Sequence, residues 1–173
     1  MKPRLILGLG NPLVGDDGIG WRVAELLAQD PRLPPDTEAI CAGTDLLRWS
    51  DEMEGRSRVI LIDAILVDGR PGEIEKFDDE FSELEHRQWN VHHLSAPQAI
   101  GLLQTALPAL CKVRFTLLGV TVESLDVRKD LSLTLSERLP EIVDLVLRSL
   151  DEMECATSDA EPIDATQLLS TRR

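Results

Sequence analysis

The sequence has no tyrosine, and only three phenylalanines and three tryptophans in 173 residues. So few aromatics cannot build the stacking platforms that hold single-stranded bases. Basic residues are also scarce: 18 lysines and arginines against 31 aspartates and glutamates leave a net charge of −13. A chain this acidic lacks the positive surface that releases counterions from a phosphate backbone. The same charge opposes an anionic membrane surface, so neither nucleic acid nor membrane is an expected partner. No apolar run approaches the ~20 residues that span a bilayer. Lys2 and Arg4 precede only a short apolar run ending at Gly8, which predicts no signal peptide and a cytoplasmic protein. Cys41, Cys111 and Cys155 are scattered, odd in number and form no Cys-x-x-Cys pair. That argues against a zinc ribbon or a disulfide framework. Cys41 and Cys111 stand in apolar surroundings and are expected as buried core thiols.

Several catalytic signatures are missing as well. There is no Gly-x4-Gly-Lys-Ser/Thr, no Gly-x-Ser-x-Gly, and no His-Glu-x-x-His or its inverse. Phosphate-loop, nucleophile-elbow and ordinary zincin chemistry are therefore not indicated. Gly8-Leu9-Gly10 opens like a dinucleotide-binding turn, but Leu13 stands where its third glycine belongs.

What is present is a globular pattern, 43% apolar and long enough for one domain with a sizeable core. Arg4–Leu9, Glu38–Ala42, Arg58–Ile65, Glu73–Phe77 and Val113–Val120 read as strands. The apolar residues around the lone Asp63 make Arg58–Ile65 a central strand, buried on both faces. Ile19, Val23, Leu26 and Leu27 fall on one helical face, with Asp16 placed to cap that helix. Thr44 is placed to cap a short helix carrying Leu46, Leu47 and Trp49. Ser95-Ala96-Pro97-Gln98 has capping-box spacing ahead of Ala99, Leu103, Ala106, Leu107 and Leu110. Thr134 to Glu137 is a second capping-box candidate. It precedes a face of Leu135, Leu139, Ile142, Val143, Val146 and Leu150, and Pro140 predicts a kink or a later start. Residues 151–173 lose this periodicity and are expected as a flexible tail beyond a single domain at 1–150. The order predicts a three-layer α/β/α sandwich around a mostly parallel, five-stranded sheet with one antiparallel edge.

Asp17, Asp63 and His92 fall where apolar stretches give way to turns, points that gather at one edge of a parallel sheet. Two carboxylates and an imidazole there suit nickel, zinc or iron. With Asp16 as the cap, Asp17 is left in the first turn, free to face the crevice. Asp63 either ligates, bonds a helix N-terminus or caps the turn that follows it. His92 and His93 precede a helix whose positive end favours the neutral, metal-binding imidazole. Adjacent side chains point oppositely, so one of the two faces the site.

These segments together resemble the nickel–iron hydrogenase maturation endopeptidases. The resemblance runs through Gly8-Leu9-Gly10-Asn11, Asp16-Asp17-Gly18-Ile19-Gly20, Gly43-Thr44, Ile62-Asp63-Ala64, the His92 segment, Leu118-Gly119-Val120 and Glu123-Ser124-Leu125. It implies that Asp17, Asp63 and His92 are both the catalytic and the metal-contacting residues. It implies a protease that removes the C-terminal extension of a hydrogenase large-subunit precursor once nickel is in place. Nickel, contributed by the precursor, would be the recognition element, and the enzyme a monomer. A non-catalytic nickel-binding protein with the same ligands is the alternative. Two departures stand out. Ser95 occupies the place of a glycine that usually follows the family's histidine, and Ala42-Gly43 replaces a glycine pair.

Overall fold

The computed structural model describes residues 1–78, 95–126 and 130–158, with side chains as far as Met153. Its strands are β1 (Arg4–Leu9), β2 (Thr37–Gly43), β3 (Arg58–Ile65), β4 (Ile74–Asp78) and β5 (Arg114–Thr121). Its helices are α1 (Ile19–Leu27), the single turn α2 (Ser50–Met53), α3 (Ala96–Ala106) and α4 (Leu133–Ser158). The strands form one sheet in the order β2-β1-β3-β5-β4. All neighbours run parallel except β4, which pairs antiparallel with β5 at the edge. The expected mostly parallel five-stranded sheet with one antiparallel edge is the observed one.

Alternation along the central strands feeds two cores. Ile6, Ile60, Ile62, Leu118 and Val120 pack against α1 and α4. Leu5, Leu7, Val59, Leu61 and Leu117 pack on the opposite face with α3 and the Leu46 and Met53 turns. Burying each such side chain contributes roughly 1.5–3 kcal/mol, so the unbroken apolar runs dictate a two-faced sheet.

The helices depart from expectation in places. Leu26 is 41% exposed and only Ile19, Val23, Ala24 and Leu27 of α1 are buried with its first glycine. Helix α3 stops at Ala106, because Pro108 opens a separate 3-10 turn through Lys112. Leu107 is consequently exposed, and Leu110 reaches the core from that turn. The cap of the Leu46–Trp49 turn is Asp45, which accepts from Leu47 N, rather than Thr44. Helix α4 starts after Ser132, whose Oγ accepts from Leu135 N at 3.4 Å, and passes through Pro140 without ending. It continues past Leu150, where the sequence places the start of a tail, and Met153 is buried in the core. Residues 159–173 lie outside the described residues. Cys111 is exposed and Cys41 only partly buried, so neither is the enclosed core thiol expected. Among the described residues no helix is long and apolar enough to cross a membrane.

Candidate active site

The connection after β1 leads through α1 to β2 on one side, and β3 leads onward to β5 on the other. The crevice outside the carboxyl ends of β1 and β3 is therefore the topological switch point, where parallel α/β sheets place their sites. Asp17 follows β1 and Asp63 lies near the carboxyl end of β3, so the two flank that crevice.

The glycines of this region draw helix and sheet into backbone contact. A Cβ on Gly20 would lie 2.1 Å from the Ile62 carbonyl oxygen, and one on Gly8 would lie 2.2 Å from the Gly20 oxygen. The start of α1 thus rests directly on β1 and β3. Gly10 has φ of 102°, open to glycine, and a Cβ there would strike the Asp17 carbonyl oxygen at 1.8 Å. These contacts seat the 3-10 turn Gly15–Gly18, with both its aspartates buried, at the end of β1.

The two aspartates divide their roles differently from the sequence reading. Asp16 does not cap α1. The helix begins after Gly18 without a side-chain cap. Asp16 instead accepts from Ser132 N at 2.6 Å, 116 residues away, and is 1% exposed. It anchors the turn to the start of α4, where a carboxylate also complements the helix dipole. Asp17 is 7% exposed, and its Oδ2 accepts from Asn11 N at 2.8 Å. Asn11 was legible as part of the motif but not as a positioning residue; an Asn before proline, able to turn the chain locally, was the available signal. Its Oδ1 accepts from Leu13 N at 3.0 Å.

Asp63 pairs in register with Gly119 of β5, and its Oδ1 accepts from its neighbour Ala64 N at 2.9 Å. Burial, reinforced by the negative charge of Asp17, pushes its carboxyl up from 3.8 to about 7 against the lowering effect of the Ala64 N–H. A carboxyl titrating near neutrality can take and return a proton. Two adjoining carboxylates can also share a divalent cation. A cleft of about 740 Å³ continues from the end of β3, lined by Leu66, Val67 and Val122 with Asp68, Glu75 and Glu123.

His92 and His93 lie outside the described residues, as does His86. Among the described residues no group of three His, Cys, Asp or Glu could hold a metal ion. The described residues thus supply two oxygen donors, an incomplete shell by themselves. Ser95 is a cap as expected: it accepts from Gln98 N, while Gln98 Oε1 accepts from Ser95 N.

Comparison with known proteins follows the same lines. The family described as HycI: Hydrogenase maturation protease matches residues 21–149. The hydrogenase 2 maturation protease of Escherichia coli K12 is 30% identical over 150 residues, covering 86% of this chain and 90% of that protein. A putative hydrogenase maturation protease of Methanocaldococcus jannaschii is 37% identical over 98 residues, 54% of this chain and 62% of that protein. Among solved structures, the hydrogenase maturating endopeptidase HybD from E. coli superposes with a TM-score of 0.71 at 29% identity, covering 87% of this chain and 93% of that one. The HybD protease of Thermococcus kodakarensis gives 0.69 at 28% identity, covering 84% and 97%.

Proposed function

Because the chain belongs to the hydrogenase maturation protease family, we propose that it removes the C-terminal extension of a nickel–iron hydrogenase large-subunit precursor after nickel insertion. The observation that supports this most is the meeting of Asp17 and Asp63 at the switch point, close enough that one charge opposes the other. Two carboxylates in that position are a receptor for a cation that arrives with the substrate. Nickel belongs to the precursor in this reading. The carboxylates contact it, and His92 is the third contact.

The division of labour follows from the hydrogen bonds. Asp17 is oriented by the Asn11 N–H, on a turn fixed by Asp16. Asp63 stands on the rigid end of a central strand. An incomplete shell of oxygen donors holds a divalent ion only moderately. The precursor's own metal site completes it, so an empty precursor lacks the bridge and is left uncut. A ~3 kcal/mol difference in binding already separates loaded from empty precursor about a hundredfold.

The test mixes metal-stripped enzyme with precursor isolated with or without nickel, and follows loss of the extension. Cleavage of the loaded form alone is expected. Equal cleavage of both forms would overturn the recognition role of nickel. Asp17→Ala, Asp63→Ala and His92→Ala are each expected to abolish processing while the fold persists. His93→Ala is expected to process normally. An inactive His93→Ala beside an active His92→Ala would reverse that assignment.

A further inference from the structure

The hydrolysis proposed above passes through a charge that two aspartates oppose. A water oxygen adds to the scissile carbonyl carbon while a carboxylate takes the water proton. The C=O electron pair moves onto oxygen and makes an oxyanion. Collapse of the oxyanion breaks the C–N bond, and the proton passes from the carboxyl to the departing amine. Asp17 and Asp63 can carry that proton. Their own negative charge disfavours the oxyanion, which needs an N–H donor aimed at it.

Main-chain donors around the crevice are already engaged. Gly10 N donates to Gly43 O at 3.0 Å, Asn11 N to Asp17 Oδ2 at 2.8 Å, and Ala64 N to Asp63 Oδ1 at 2.9 Å. Val14 N and Asp17 N donate within the turn, to Asn11 O and Val14 O. Pro12 has no N–H to give. The side-chain amide of Asn11 differs from all of these. Its Oδ1 accepts from Leu13 N at 3.0 Å, so the oxygen end of the carboxamide is committed to the loop. The other end, Nδ2, carries two donors and bonds none of the described residues. Pro12 confines the Asn11 backbone to the extended region. The half-buried residue is thus restrained by its own N–H, by its Oδ1 and by the proline that follows. Covalent geometry keeps Nδ2 within about 5 Å of the Asn11 N, hence within about 8 Å of the Asp17 carboxylate. A carbonyl attacked by a water held on that carboxylate falls inside this reach.

We propose that the Asn11 carboxamide donates from Nδ2 to the oxygen of the scissile carbonyl, as a catalytic residue of this site. The role rests on the protease reading above and adds to it a donor for the charge that cleavage creates. The amide is oriented before the precursor arrives, so it needs no reorganisation at the moment of attack.

The experiment follows single turnovers of nickel-loaded precursor at saturating enzyme, with precursor binding and thermal denaturation measured on the same preparations. Asn11→Asp keeps an oxygen for Leu13 N and lacks the donor. Asn11→Ala lacks both. Each is expected to cut about a hundredfold to a thousandfold more slowly at equal concentrations of folded protein, the range for loss of one oxyanion donor. Precursor binding by Asn11→Ala is expected to be retained. A role in holding the turn alone would leave Asn11→Asp active and impair only Asn11→Ala, and that result would overturn the proposal. A slow Asn11→Asp beside an active Asn11→Ala would also overturn it, because the added charge and not the missing donor would be responsible. So would a loss confined to binding. A wild-type chain that leaves the precursor whole would overturn the protease reading and this inference with it. Wild-type cleavage with undiminished variants would overturn the inference alone.

Discussion

Asp63 and Asp17 oppose each other across the mouth of the sheet. Burial and the Asp17 charge together hold the Asp63 carboxyl at about 7, far above its ordinary 3.8. Ionising Asp63 is thus opposed both by its burial and by the charge already on Asp17. Placing like charges together is a feature of sites rather than of cores.

A stability profile follows. The folded pKa of Asp63 lies above the unfolded value, so its proton favours folding. That contribution is complete below about pH 4 and is lost as pH rises through about 7. Asp63→Asn cannot ionise, and its side-chain oxygen can still accept from Ala64 N. In metal-free buffer the variant is expected to gain on the wild type between pH 4 and 7, by up to about 4 kcal/mol. Denaturant midpoints measured at pH 4.5, 6 and 8 check this. A constant gap across the series would show that Asp63 is not raised.

Asp16→Ala is expected to destabilise the fold by about 1.5–3 kcal/mol, because the half-buried Ser132 N–H loses a charged acceptor. Asp16→Asn keeps an acceptor and is expected to lose less. Cleavage should fall with Asp16→Ala even under conditions where the variant is folded, since Asp17 rides on the same turn. Chemical denaturation and a processing assay on the same preparations separate the two effects.

Gly20→Ala tests the backbone contact. Inside a helix, alanine is favoured over glycine by about 1 kcal/mol. Here the new methyl would meet the Ile62 carbonyl oxygen at 2.1 Å and the Leu9 oxygen at 2.7 Å, neither of which can swing away. Overpacking of this kind typically costs about 1–3 kcal/mol, and backbone atoms leave no cheaper relaxation. A net loss of stability is expected by thermal denaturation, with the crevice widened and processing impaired. A stabilised Gly20→Ala would mean that α1 does not rest on the sheet as described.

Truncation after Ser158 is expected to leave processing intact, because it removes none of Asp17, Asp63 and His92. Truncation after Leu150 removes the buried Met153 and the last turns of α4, and is expected to unfold at a lower temperature. Comparing cleavage rates at equal concentrations of folded protein distinguishes these outcomes.

The sheet and its order were legible because apolar strand runs and capping signals are local. Arg58–Ile65 and the Ser95 capping box each declare themselves within eight residues or fewer. Asp63 was readable for a related reason: a lone acid inside an apolar run is costly unless it has a task. What could not be read were partners distant in sequence. Nothing around Asp16 announces Ser132, so an acid beside a helix start was assigned the cap it does not form. The end of α3 was misplaced because apolar spacing continues through Leu107 and Leu110 although Pro108 breaks the hydrogen bonding. Met153 was missed because a single apolar residue among acids carries no period of its own.

The bond from Ser132 to Asp16 also sets an order of events. The turn bearing Asp17 leaves the ribosome before the group that pins it, which emerges 116 residues later. A nascent chain lacking α4 has its first aspartates in place and no anchor for them. A fragment that stops short of α4 therefore lacks the partner that fixes the turn carrying Asp17.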